Sequence, residues 1–182
     1  MSCTQKSLVA LIAAAALGSA SAAPVALTAD GTWFDFVVGD VGDAWRSPLD
    51  GDPISFTLTS ASTFTLRVVD VGFAGDRVDV LLGGSSVLGT TADVPVDDSV
   101  FAFTPDEAFA APGTWSQGTW ALAAGTYSFT GTATASPFGG GAWAISALAA
   151  PIPEPGIWSL MLGGLALVAA TARRRSSPAG QR

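Results

Sequence analysis

Residues 23–150 predict an all-β fold, an antiparallel β-sandwich of jelly-roll or immunoglobulin-like topology. Three observations lead there. Eight or nine short runs of β-branched and aromatic residues are set apart by Gly, Pro and Asp. In the clearest run, apolar residues alternate with polar ones at the period of a half-buried strand. No persuasive amphipathic helix of ten or more residues occurs between 28 and 150, so nothing supplies the crossover helices of a parallel sheet.

The first strand is expected at Thr32–Val38. The loop from Gly39 to Pro53 is dense in turn formers, Asp40, Asp43, Asp50 and Asp52 among them. Ile54–Leu58 follows, then Thr63–Val71, where Phe64, Leu66 and Val68 alternate against Thr65 and Arg67. Gly72–Asp76 reads as a turn, Arg77–Leu82 as a strand, Gly83-Gly84-Ser85 as a second turn, and Val87–Thr91 as a short strand suited to an edge. After a strand at Ser99–Thr104 the pattern breaks. Pro105–Pro112 holds Asp106, Glu107, Ala108 and Phe109, which make one helical turn or a packed loop. Thr119–Leu122, Thr126–Thr134 and Ala142–Ala149 complete the set, with Tyr127 and Phe129 sharing one face of their strand and Trp143 and Ile145 one face of theirs. Gly139-Gly140-Gly141 reads as a hairpin turn between the last two strands.

Both ends are membrane signals by composition. Met1–Lys6 is a short positive region, Leu8–Leu17 is apolar, and Gly18–Ala23 is small, with Ala20 and Ala22 placing a cut after Ala22. Residues 1–22 therefore read as a secretory signal peptide, too short to span. Residues 151–182 open with Pro153-Glu154-Pro155, an extended segment that cannot continue a strand or helix. Gly156–Ala172 is uncharged and apolar all round, with Trp158 near one end, and Arg173-Arg174-Arg175 closes the other as a positive-inside stop. As a helix it would measure about 25 Å against a hydrocarbon core of roughly 30 Å, a short transmembrane span.

Pro-Glu-Pro, a short hydrophobic helix and an arginine cluster, in that order and behind an export signal, resemble the PEP-CTERM sorting signal of Gram-negative bacteria. The resemblance covers about residues 151–175. It implies recognition and cleavage near the motif by exosortase, a membrane-embedded Cys-dependent transpeptidase. Pro153, Glu154, Pro155, Arg173, Arg174 and Arg175 are then the sorting residues. The segment from Phe64 to Gly131 also resembles an extracellular β-sandwich module common among PEP-CTERM proteins. That likeness rests on Val69-Asp70, Gly75-Asp76, Gly83-Gly84, Leu88-Gly89-Thr90, Trp115-Ser116-Gln117-Gly118 and Leu122 to Tyr127. It implies fold and location, with no settled activity attached.

Charge narrows the partners. Between Ala23 and Pro151, Arg46, Arg67 and Arg77 face thirteen Asp and Glu107, a net charge near −11. Nucleic acid and anionic membrane surfaces need clustered Lys and Arg and are poor partners for such a domain. Cations suit it better. The chain has no His, and its one cysteine, Cys3, precedes the first apolar run, so the mature chain has neither disulfide nor thiol.

Without an imidazole, Ser–His–Asp and Cys–His catalysis are excluded, and the usual zinc ligands are missing. Two carboxylates suffice for glycoside hydrolysis when one is held protonated, and Asp70, Asp79 and Glu107 lie near apolar runs. Most Asp residues sit beside Gly or Pro, however, where turn capping accounts for them. No enzyme activity is expected. Calcium takes oxygen ligands from carboxylates and carbonyls, and a structural ion has Asp40, Asp43, Asp50, Asp52, Asp70 and Asp76, and the Asp97-Asp98 pair, as candidates. Solvated turn carboxylates are the competing reading. Trp45 and Trp115 lie in loops and are the candidates for stacking on sugar, whereas Trp33, Trp120 and Trp143 lie in strand patterns and suit a core.

The expected protein is thus an exported structural or interaction protein. It is held transiently in the inner membrane and sorted by exosortase to the cell surface or extracellular matrix. The alternative is a carbohydrate-binding sandwich on the same sorting system, braced by calcium, with extracellular polysaccharide as its partner.

Overall fold

The computed structural model describes residues 23–151, 161 and 164–168. The strands are β1 (Val25–Ala26), β2 (Asp30–Val38), β3 (Phe56–Ser60), β4 (Phe64–Val71), β5 (Phe73–Ala74), β6 (Arg77–Leu82), β7 (Ser86–Thr90), β8 (Asp97–Phe101), β9 (Gln117–Leu122), β10 (Gly125–Ala135) and β11 (Gly141–Ala149). One short helix, α1 (Pro105–Phe109), lies between β8 and β9.

Two main sheets form, in the orders β1-β3-β10-β6-β7 and β2-β11-β4-β9, and β5 pairs with β8 in a small ribbon. The eight longer strands outside that ribbon pair in mirror fashion. β2 pairs with β11, β3 with β10, β4 with β9, and β6 with β7, all antiparallel. One long hairpin wound round itself in this way is a jelly roll, the first of the two topologies the sequence left open. β7 lies at a sheet edge, as its short run suggests. Gly139–Gly141 does not form a hairpin turn: β10 and β11 belong to different sheets, so this connection arches across the end of the sandwich. Local turn chemistry is the same in both cases, and only pairing with distant strands separates them.

Apolar residues at every second position fill the space between the sheets. Phe36 and Val38, Phe64, Leu66 and Val68, and Trp143, Ile145 and Ala147 point in from one sheet. Phe56, Leu58, Val78, Val80 and Phe129 come from the other. Each such side chain stabilises the fold by roughly 1.5–3 kcal/mol on full burial. Tyr127 and Phe129 stack at 6.0 Å.

The second sheet is covered on its outer face as well. Val69 and Ala144 pack there against Ala74, Ala102, Ala108 and Trp115, contributed by the β5–β8 ribbon, α1 and the loop after it. Residues 143–147 are therefore buried without alternation. Arg67 braces this layer: its Nε donates to Ser146 Oγ at 2.9 Å, and its guanidinium lies 4.6 Å over the Trp33 ring. Trp33 is half-buried and donates from Nε1 to Asp106 Oδ1 at 2.8 Å, which ties β2 to α1.

Residues 1–22 and most of 156–172 lie outside the described residues, as do Pro153, Glu154, Pro155 and Arg173–Arg175. Residues 164–168 are helical, with Leu165, Leu167 and Val168 exposed. Among the described residues no helix is long and apolar enough to cross a membrane.

Candidate functional site

The feature that departs most from an ordinary sandwich is a pair of buried carboxylates. The inward row of β4 runs Phe64, Leu66, Val68 and then Asp70. Asp76 likewise sits two positions before Val78 and four before Val80, extending the inward row of β6. Two rows of apolar side chains, one from each sheet, thus end at the same mouth in an acid. Asp70 is wholly buried and Asp76 is 2% exposed. Asp70 lies opposite Trp143 in register, and its N–H donates to Ser116 O at 2.8 Å.

Neither side chain is satisfied by the protein. Both oxygens of Asp70 and Oδ1 of Asp76 lack a hydrogen-bond partner. Burial pushes the Asp70 carboxyl up to about 9, helped by the neighbouring Asp76 charge and partly opposed by the backbone N–H groups of Gly75, Asp76 and Val71. Burial alone raises Asp76 to about 6. Desolvation favours the neutral form of a carboxyl, and a second carboxylate close by adds repulsion.

The surrounding backbone is shaped around these acids. Gly141, at the end of the arch, has no Cβ, and a Cβ there would collide with Oδ2 of Asp76. Gly75 adopts φ +131°, and a Cβ on it would come within 2.9 Å of Val96 Cα. Ser136, at the other end of the arch, also has an unpartnered buried hydroxyl.

Above Asp76 a recess of about 170 Å³ opens between Val71, Phe73, Phe101, Phe138 and Gly141. Its rim is aromatic and exposed. Phe73 meets Phe101 at 5.1 Å and Phe138 at 5.7 Å, and Phe101 meets Phe103 at 4.8 Å. Phe103 is 80% exposed. Four phenylalanines in one exposed chain form an apolar patch of the kind that marks interaction surfaces.

The other calcium candidates are not brought together in this way. Asp50 accepts from Asp52 N at 3.1 Å, and Asp97 from the hydroxyl of Ser99 at 2.5 Å and its N–H at 2.8 Å, so both cap their own turns, and these bonds hold both carboxyls below the usual range. Asp40 accepts through its carbonyl from Asp43 N at 2.9 Å, and the Asp43 carboxyl rests against Gly39. Among the described residues no group of three or more His, Cys, Asp or Glu could hold a metal. Of the carboxylates weighed for hydrolysis, Asp70 is paired with Asp76, whereas Asp79 accepts from the Thr90 hydroxyl and Glu107 from Phe103 N at 3.0 Å.

The two loop tryptophans do not present a stacking face. Trp45 is 1% exposed: the 39–53 loop folds back so that Trp45 N donates to Gly131 O at 3.0 Å and the indole stacks on Phe36 at 4.2 Å. Trp115 is 8% exposed and donates from Nε1 to Gly72 O at 3.0 Å. Both loops close over apolar surface that the strands alone leave bare. The exposed rings are the phenylalanines, which no local sequence signal separates from core residues. The buried acids did leave a signal, an Asp at the next inward place of an alternating apolar row.

Fold and site together define a jelly-roll domain with an acid-floored, aromatic-rimmed end. Residues 151–175 match the PEP-CTERM protein-sorting motif. No curated protein matches the chain. Among solved structures it is similar to the pre-peptidase C-terminal domain of a collagenase from Bacillus anthracis. The identity is 13%, over 69% of this chain and 96% of that one, with a TM-score of 0.36. It is also similar to the carbohydrate-binding module CBM6cm-2 of lichenase 5A from Cellvibrio mixtus, solved with cellotriose. There the identity is 21%, over 68% of this chain and 74% of that one, with a TM-score of 0.29.

Proposed function

We propose that this chain is an exported structural or interaction protein of a Gram-negative bacterium, sorted by exosortase to the cell surface or extracellular matrix. The observation that carries this reading is the sorting motif at 151–175, set immediately behind a closed sandwich whose last strand ends at Ala149. Pro153 and Pro155 lack the N–H groups a strand would use, which suits a joint that a protease groove takes up. A span of seventeen residues is marginal as an anchor, which suits a segment held briefly and then passed on. The arginines hold the far end in the cytoplasm, placing Pro-Glu-Pro at the outer surface of the inner membrane. The reading includes no imidazole- or thiol-based catalysis, since the chain has no His and no Cys after Cys3.

The test replaces Glu154 with Ala in an exosortase host. The variant should remain uncut in the inner-membrane fraction while the unaltered protein leaves it. Identical mass and fractionation for the two would reduce the tail to a plain anchor.

The exposed phenylalanine chain favours a second reading, polysaccharide binding by the same exported domain. Flat apolar rings beside a recess suit the apolar faces of sugars, and an acidic surface selects against anionic glycans. A glycan array should then show binding that Phe101→Ala abolishes. An array on which the unaltered protein binds nothing removes this reading and leaves the sorting proposal standing.

A further inference from the structure

We propose that Asp70 and Asp76 bind one calcium ion at the end of the sandwich, beneath the phenylalanine rim. The two carboxylates end facing rows of the core and are buried, and three of their four oxygens complete no hydrogen bond, although the N–H groups of Gly75, Asp76 and Val71 lie near Asp70. Buried acceptors without partners are rare because each costs the desolvation of that group, and a buried charge costs far more. Something must complete this site.

The protein's own cations do not. Arg46 donates to Gly51 O at 3.1 Å, and Arg67 is held by Ser146 and the Trp33 ring. Arg77, next in sequence to Asp76, points away to Thr134 at 3.3 Å and to Asp93 at 3.4 Å. The described residues include no other Arg and no Lys. What remains is a bound proton or a bound cation from solution.

The geometry favours the cation. A pair sharing only a proton needs no open volume, yet a recess of about 170 Å³ adjoins Asp76, room for several waters. The backbone also yields to the acids instead of packing on them: Gly141 leaves its Cβ place to the Asp76 carboxylate. Calcium accepts six to eight oxygens in flexible geometry. Two carboxylates, backbone carbonyls and waters can supply them, whereas magnesium demands a tighter octahedron and holds its waters. Extracellular modules commonly bind calcium at Kd values of about 10⁻⁴–10⁻³ M, which suits a site with only two acids. Bound there, the ion ties β4 to β6 and so one sheet to the other. It also fixes the Phe73 turn, which lies between the two ligands in sequence.

The test uses the full chain in detergent, first stripped with chelator and then titrated with calcium chloride. Melting should rise by about 5 °C or more once calcium reaches ~100-fold over Kd, and chelator should reverse the rise. Asp76→Asn and Asp70→Asn should each abolish the shift, and Asp50→Asn, in an exposed turn, should leave it intact. Terbium supplies a readout that does not depend on stability. Trp143, in register with Asp70, should sensitise its emission, and calcium should displace it. Should Asp70→Asn fail to fold, Asp76→Asn and the terbium signal of the unaltered chain still decide. Melting that ignores calcium, with no sensitised terbium emission, would overturn the proposal and leave the pair held by a proton. A calcium shift that survives in Asp76→Asn would place the ion elsewhere and overturn it equally. Neither result bears on sorting, which is read from mass and fractionation.

Discussion

Asp70 occupies a place where three preceding inward residues, Phe64, Leu66 and Val68, are apolar. Its consequence is a pH dependence whose sign can be worked out. In the unfolded chain the carboxyl titrates near 3.9, whereas in the fold Asp76 is pushed up to about 6 and Asp70 to about 9. The native state therefore binds more protons than the unfolded one across that window, and stability is lost as pH rises. For calcium-free protein, melting temperature should fall from pH 5 to pH 9. Asp76 contributes up to about 6 and Asp70 up to about 9. Asp30, Asp50 and Asp97, held low by their own turn hydrogen bonds, act in the opposite sense only below the ordinary Asp range. Asp70→Asn should flatten the upper part of the slope, measured by thermal melts at each pH. A flat profile in the unaltered protein would show that burial does not shift these groups. At this scale the sequence was legible where period mattered: Trp143 and Ile145 are core, as their strand pattern implies. Trp45 and Trp115 were not, because loop residues are buried by what they fold onto, and no local period records that.

Among the elements, α1 and the β5–β8 ribbon decide the difference between a plain sandwich and this one. They turn the outer face of β4 and β11 into a second small core. The helix is only five residues long and depends on its cap. Thr104 Oγ1 accepts from Glu107 N at 3.2 Å, and the Glu107 side chain reaches back to Phe103 N at 3.0 Å. Thr104→Ala should cost about 0.5–2 kcal/mol by losing the cap, read as a lowered denaturant midpoint with unchanged slope. An unaffected midpoint would show that packing of Ala108 and Phe109 holds the turn without it. Most of the strands were legible because alternation and Gly/Asp punctuation are local. The Arg77–Leu82 strand is found with the same bounds. The two-residue strands β1 and β5 were not, since they exist only by pairing with β3 and β8. The Gly139–Gly141 arch was misread as a hairpin for the same reason.

At the scale of the whole molecule, an acidic jelly roll stands in front of a tail made legible by its resemblance to the PEP-CTERM sorting signal. Three features in fixed order at 151–175 need no tertiary structure to be recognised, and the family match falls on the same residues. The central claim is that this tail is cut, and intact mass tests it most directly. The protein should be isolated from a host carrying exosortase and from the same host lacking it. The account predicts that the first loses everything after Pro153-Glu154-Pro155, including Arg173–Arg175, while the second keeps it. Equal masses from the two hosts, with the arginines still attached, would contradict it.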